Sequence, residues 1–323
     1  VDSLTRKMGN VAYYYQGRVM ENIHISNTVD AYAVNGWESM KLENHSGIVD
    51  NYRHLKGDAQ LIARYNRPLY LAVKLNHKVL AVGDTTTVDV YIVNRENVRG
   101  AAQLLLTVRD AAGKVVAQTK RAVKVRGGVV YGENLSQGWK IRVNTPGYTK
   151  VEARLVQKGK TVTTGNDMIY AVKMNTEDIS GTCAVADTTG VFAAYLRSQG
   201  IQVTPYQNGR PKADFMLVGA FEPTQFGSGV SDILEWVYTG HTLVIVDNPE
   251  RWADLLCDKE VMDYRGAKVL GRSWYGGNFF CRQHPVFAGL PTDCVFNWEY
   301  QCFAAYNRRR VGLRDMRGEV LVG

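Results

Sequence analysis

From residue 67 to about residue 173 the sequence is a succession of short β-rich runs, and no other feature limits the possible folds as much. Residues 70–75, 87–93, 104–108, 114–117, 150–155 and 161–163 are dense in β-branched, aromatic and aliphatic side chains. Gly83-Asp84, Asp110-Ala111-Ala112-Gly113 and Lys158-Gly159-Lys160 separate them. Such residues suit a half-buried pleated surface, and turn residues at this spacing fold the chain back on itself. The pattern predicts an immunoglobulin-like antiparallel β-sandwich over 67–173, without the Cys…Trp…Cys signature of antibody domains, because the segment has no cysteine. Tyr131, Trp139 and Tyr148 are candidates for an exposed aromatic platform, with ordinary packing as the alternative.

The chain before the sandwich follows a different period. Asp2-Ser3 can cap a helix, and Leu4, Met8, Val11, Tyr15 and Val19 recur at helical spacing. This predicts a helix of about five turns, to about Asn22, with that stripe buried. The apolar run 31–34 reads as a buried strand that breaks at Asn35-Gly36 into a loop carrying Trp37, Glu38, Glu43, Asn44, His45, Asp50, Arg53 and Lys56. A strand that empties into a polar loop is how α/β barrels build active sites.

Within that loop, Ser46-Gly47-Ile48-Val49-Asp50, then Arg53 and Lys56, resembles the end of the catalytic barrel of glycoside hydrolase family 2, the family of β-galactosidases, β-mannosidases and β-glucuronidases. The resemblance implies that residues 1–66 close a (β/α)8 barrel. It also implies that the sandwich is the one following that barrel, and that the catalytic glutamates lie upstream of Val1. No catalytic residue is therefore expected in this chain, which by itself would be inactive. One βα unit cannot supply the two carboxyl groups, about 5 to 5.5 Å apart, that a retaining glycosidase needs. Glu38 and Glu43 accordingly suit salt bridging or sugar-hydroxyl binding.

Trp37, Glu38, Asn44, His45 and Asp50 are the candidate substrate-binding residues. Trp37 leads because an indole face stacks on the apolar face of a pyranose; a core tryptophan is the alternative. β-Glucuronidases of the family carry Asn, any residue, Lys where this chain has Asn44-His45-Ser46. Without that cation, a neutral β-hexoside fits better than a uronic acid. Arg53 and Lys56 are expected to tie the loop to the barrel.

From about residue 174 strands alternate with helices: strands at 183–186, 203–206, 215–218 and 242–246, helices at 190–199, 231–238 and 249–256. Apolar strands without period-2 polarity indicate a parallel doubly wound sheet. This segment, 174–323, resembles flavodoxin-like and glutamine-amidotransferase-like domains, and His284 to Pro291 (HPVFAGLP) looks like a stretch found in such domains appended to glycosidases. The amidotransferase elbow Gly-x-Cys-x-Gly is absent; Asp247-Asn248-Pro249 follows the fourth strand. Nor is Asp187-Thr188-Thr189-Gly190 long enough for a dinucleotide fingerprint. A packing or homo-oligomerisation role is expected for the α/β domain, with no cofactor and no metal.

The net charge of +8 comes from basic residues spread along the chain and no nucleic-acid motif accompanies it, so a solvated basic face is expected. Five cysteines at wide, irregular spacing form neither a zinc framework nor a dense disulfide scaffold. Buried free thiols are expected, with one bridge among the last three as the alternative. No apolar run is long enough to cross a bilayer. The resemblance is compatible with a periplasmic or secreted protein whose signal peptide lies upstream. The aromatic residues around 274–280 and 296–300 could be sticky to sugars or to a subunit, or be core. The chain reads as a multidomain piece of a retaining exo-acting β-glycosidase acting on carbohydrate. A non-catalytic carbohydrate-binding or oligomerisation module is the alternative.

Overall fold

Alternating burial along the strands of residues 69–172 builds one hydrophobic core. In a computed structural model, which describes residues 2–34, 36–38, 47–128, 130–173, 179–261, 264–270, 279–304 and 310–315, the chain forms two compact units. The first takes the described residues of Val1–Met174 and Ser273–Tyr306, the second those of Asn175–Arg272 and Asn307–Val320.

The first unit opens with helix α1 (Asp2–Ser26) and a single helical turn, α2 (Gln60–Ala63). Eight strands follow: β1 (Leu69–Leu75), β2 (Val79–Ala81), β3 (Thr85–Asn94), β4 (Gly100–Arg109), β5 (Val115–Val125), β6 (Gly132–Arg142), β7 (Gly147–Gln157) and β8 (Lys160–Val172). They form one sheet in the order β1-β3-β6 and a second in the order β2-β8-β7-β4-β5, antiparallel throughout except for the β2–β8 pair. Ala102, Leu104, Leu106 and Val108 of β4 and Val151, Ala153 and Leu155 of β7 point every second residue into a core shared with Val88, Val90 and Ile92 of β3. That is the period of a strand with one face buried. Lys158 and Gly159, both at positive φ (49° and 75°), make the two-residue hairpin joining β7 to β8, as the turn signal implied.

The buried face of α1 differs from the expected stripe. Leu4, Tyr15 and Val19 are exposed, whereas Tyr13, Met20 and Glu21 are buried. Two glycines turn that face inward. A Cβ on Gly9 would lie 2.2 Å from the Lys56 carbonyl oxygen, and one on Gly17 would lie 2.1 Å from the Tyr65 ring. Only a residue without a side chain lets the helix backbone come that close. Tyr13 and Met20 then pack with Ile62 and Tyr65. The helix also runs on to Ser26, past the expected end.

Residues 31–34, expected as a strand, are coil with Val34 exposed. A strand needs a partner for its N–H and C=O groups, and no described strand pairs with these residues.

The second unit alternates β9 (Thr182–Ala186), α3 (Val191–Ser198), β10 (Gln202–Pro205), β11 (Phe215–Val218), α4 (Gly229–Tyr238), β12 (Thr242–Ile245) and α5 (Pro249–Asp258), then adds β13 (Tyr264–Leu270). Four strands form a parallel sheet in the order β10-β9-β11-β12. In chain order β14 (Phe280–Cys281), β15 (Cys294–Val295) and β16 (Arg310–Asp315) follow; β14 pairs with β15 in the first unit, and β16 pairs with β13 in the second.

The expected single span 174–323 therefore differs from the observed units, because 279–304 packs with the first. Trp298 is buried, with the Lys78 ammonium 4.3 Å from its ring centre. Tyr148 donates to Glu299 (2.8 Å), and Lys7 pairs with Asp293 (3.1 Å). The aromatic residues near 298 and 300 are thus core.

Candidate functional site

The loop after residue 34 is held by its backbone. The Trp37 carbonyl accepts from the N–H groups of Ile48 (2.9 Å) and Val49 (3.1 Å), and Glu38 makes a parallel bridge to Val49, which bridges Leu55 in turn. Helix α1 anchors this lobe. The Tyr13 hydroxyl donates to the Ile48 carbonyl and accepts from the Lys56 N–H, while Asn10 Oδ1 accepts from the Asp58 N–H. Val49 and Lys56 are buried at its centre. Burial pushes the Lys56 ammonium down to about 8.

On this base stand three of the five candidate residues. Trp37 is 60% exposed, its backbone pinned and its ring largely in solvent. Glu38 pairs with Arg53 (3.1 Å), and Arg53 sits at a φ of 66°, in the left-handed region that a tight turn requires. Asp50 organises that turn, its Oδ1 accepting from the N–H groups of Tyr52 (2.8 Å) and His54 (2.8 Å). An aspartate that folds back on its own chain in this way is a frequent turn former. The hydrogen bond from the His54 backbone, followed by that from Tyr52, holds its carboxyl below the ordinary carboxylate range. Its second oxygen faces His54 Nδ1 at 3.5 Å. Asn44 and His45, with Glu43 and Ser46, lie outside the described residues.

Sequence reasoning passed over Tyr52, which is 82% exposed and stacks on His54 with ring centres 6.3 Å apart. The only signal was its place between Asp50 and Arg53 in a turn, which forces side chains outward.

The sandwich aromatics do not share a platform arrangement. Trp139 packs against the core; Tyr148, exposed on one side, stacks edge-on to Tyr170 (4.8 Å) and bonds Glu299; and Tyr131 is exposed. In the second unit, the segment Asp187-Thr188-Thr189-Gly190 at the end of β9 is occupied by its own hydrogen bonds. The Asp187 carboxylate accepts from the Thr189 hydroxyl (2.8 Å) and from the N–H groups of Phe192 (3.3 Å) and Ala220 (3.2 Å). A side-chain carboxylate thus takes the start of α3, the place where an anion would otherwise be favoured.

Cys183, Cys257, Cys281 and Cys294 are free thiols, and burial raises Cys183 and Cys294 to about 11. Among the described residues no three His, Cys, Asp or Glu side chains are grouped to hold a metal, and no helix is long and apolar enough to cross a membrane.

No family model and no curated protein matches the sequence. Among solved structures, the chain is similar to the CARDB domain of the PF1109 protein from Pyrococcus furiosus, at 11% identity and a TM-score of 0.26 over 33% of this chain and 94% of that one. It is also similar to a glycosyl hydrolase family 2 member from Bacteroides cellulosilyticus DSM 14838, at 14% identity and a TM-score of 0.26 over 56% of this chain and 26% of that one. A putative β-galactosidase from Bacteroides fragilis is similar at 14% identity and a TM-score of 0.25 over 59% of this chain and 36% of that one. The likeness is partial and the chain spans only 26% and 36% of the two glycosidase structures.

Proposed function

We propose that this chain is part of a retaining, exo-acting β-glycosidase of the family 2 type that hydrolyses neutral β-hexosides, with the acid and the nucleophile on residues outside this chain. In this reading 1–66 ends a barrel, 67–173 is its following sandwich, and the parallel α/β sheet is a non-catalytic, flavodoxin-like appendage. The strand order β10-β9-β11-β12 supports the last point, since it is the 2-1-3-4 order of that class of sheet.

The observation that carries the reading is Trp37, an indole 60% exposed on a loop whose backbone is fixed by two hydrogen bonds to its carbonyl. A ring ordered at the backbone and open at its face stacks on a sugar without losing much entropy. Glu38 and Asp50, next to Trp37 along the Glu38–Val49 bridge, offer acceptors for sugar hydroxyls. In this reading further barrel elements would cover the exposed Leu4, Val19, Val29, Val34 and Leu55. Hydrolysis would pass through a covalent glycosyl-enzyme intermediate, with two carboxyl groups about 5 to 5.5 Å apart.

Trp37→Ala in the full-length protein tests the role of the ring. Loss of one stacking partner is expected to raise KM for a nitrophenyl β-galactoside at least about tenfold, equivalent to about 1.4 kcal/mol. An unchanged KM would remove Trp37 from the site. Saturable sugar binding that Trp37→Ala weakens, in a full-length protein that hydrolyses nothing, would favour the non-catalytic module.

A further inference from the structure

Between α1, α2, β1 and β8 lies a cavity of about 290 Å3, lined among others by Glu21, Arg64, Arg67, Tyr70, Thr164 and Asn166. Its charges do not balance. Glu21, 2% exposed, is already held by Arg18 Nη1 (2.9 Å) and Lys74 Nζ (3.2 Å). Asp167, also buried and adjacent in sequence to the lining Asn166, is held by Lys78 Nζ (2.5 Å) and Arg18 Nη2 (3.4 Å). Two carboxylates are thus shared among three cations before the two arginines of the cavity wall are counted.

Those two arginines form no ion pair among the described residues. Arg64 donates through Nη2 to the Asn166 carbonyl (2.8 Å) and lies 4.7 Å from the ring centre of Tyr65, which orients its guanidinium plane. Arg67 lines the same cavity, is exposed, and forms no ion pair among the described residues. Uncompensated positive charge in a partly desolvated recess favours an anion strongly, and the guanidinium fork matches the geometry of a carboxylate or phosphate. Thr164, Gln60 and Asn166 add hydrogen-bonding groups suited to hydroxyls around such an anion.

We propose that this cavity binds a small hydroxylated oxyanion, with Arg64 and Arg67 taking its charged group. The proposal does not depend on the hydrolytic reading, because it rests on the balance of charge within the first unit alone.

Calorimetric titration of the 323-residue chain with glucose 6-phosphate, glucuronate, inorganic phosphate and uncharged glucose tests it. A saturable single site is expected for glucose 6-phosphate, for glucuronate, or for both, with no binding of glucose. Whichever anion binds identifies phosphate or carboxylate as the recognised group. Arg67→Gln, which removes a side chain that donates no hydrogen bond within the described protein, is expected to weaken binding about tenfold or more, and Arg67→Lys to restore part of the loss. The proposal is overturned if none of the anions saturates, or if Arg67→Gln binds as tightly as the parent. It is overturned in its hydroxylated part if inorganic phosphate alone binds as tightly as the sugar phosphate.

Discussion

Asp167→Asn should destabilise the sandwich unit far more than an ordinary surface substitution. The carboxylate is 5% exposed and lies 2.5 Å from Lys78 Nζ and 3.4 Å from Arg18 Nη2. Lys78 Nζ also donates to the Tyr14 hydroxyl (2.7 Å) and sits 4.3 Å from the Trp298 ring centre, so the ammonium has little water to turn to. Neutralising Asp167 leaves Lys78 without its ion-pair partner, and leaves Arg18 sharing the Glu21 carboxylate with Lys74. Breaking a buried pair from one side costs about 3 to 5 kcal/mol, because the remaining charge stays desolvated, whereas an exposed pair costs at most about 1 kcal/mol. Replacing both partners, as in Asp167→Leu with Lys78→Met, should recover most of the loss, since no orphan charge remains. Urea unfolding followed by hydrogen exchange at the amides of Val88, Leu104 and Leu155 isolates the core of this unit from the α/β unit. A loss below about 1 kcal/mol for Asp167→Asn would refute the reasoning, as would a double variant no better than the single one.

Two further outcomes follow from the packing of α1. Gly17→Ala improves intrinsic helix propensity by about 1 kcal/mol, yet its Cβ would meet the Tyr65 ring at 2.1 Å, so a net loss of about 1 to 3 kcal/mol is expected in thermal unfolding. Net stabilisation would show that the two elements do not touch. Lys56 titrates at about 8 in the folded chain against an ordinary 10.5, a depression caused by burial. Between those values the unfolded chain holds a proton that the folded chain has lost, so stability due to this group rises with pH and its penalty is complete below about 8. Lys56→Met should therefore flatten the pH dependence of stability between about 8 and 10.5, and an unaltered slope would contradict the burial.

How far the sequence could be read depended on whether one residue's neighbours were local. The sandwich was legible in β4 and β7 because Leu104, Leu106 and Val108, and Val151, Ala153 and Leu155, each alternate with outward residues in a single run. β6 escaped because its Gly132–Arg142 run is polar and glycine-containing and pairs with β3 through two register shifts. The stripe on α1 misled for a different reason: helical spacing reports a face, but Gly9 and Gly17 decided which face meets the protein. Residues 31–34 have strand-like composition and no described partner, and composition carries no information about partners. At the site, Trp37 is exposed, and Arg53, expected to tie the loop to the barrel, instead pairs with Glu38 within the loop. The turn role of Asp50 was visible only once the Tyr52 and His54 amides were placed on its carboxylate.

Hydrolysis of nitrophenyl β-galactoside and nitrophenyl β-glucuronide by the full-length protein, with the anomer of the first-formed sugar read by proton NMR, puts the central claim to the test. The account predicts turnover of the neutral glycoside with β-configured product and much slower turnover of the uronide. An inverted product, a preference for the uronide, or no cleavage of any neutral β-hexoside would contradict it.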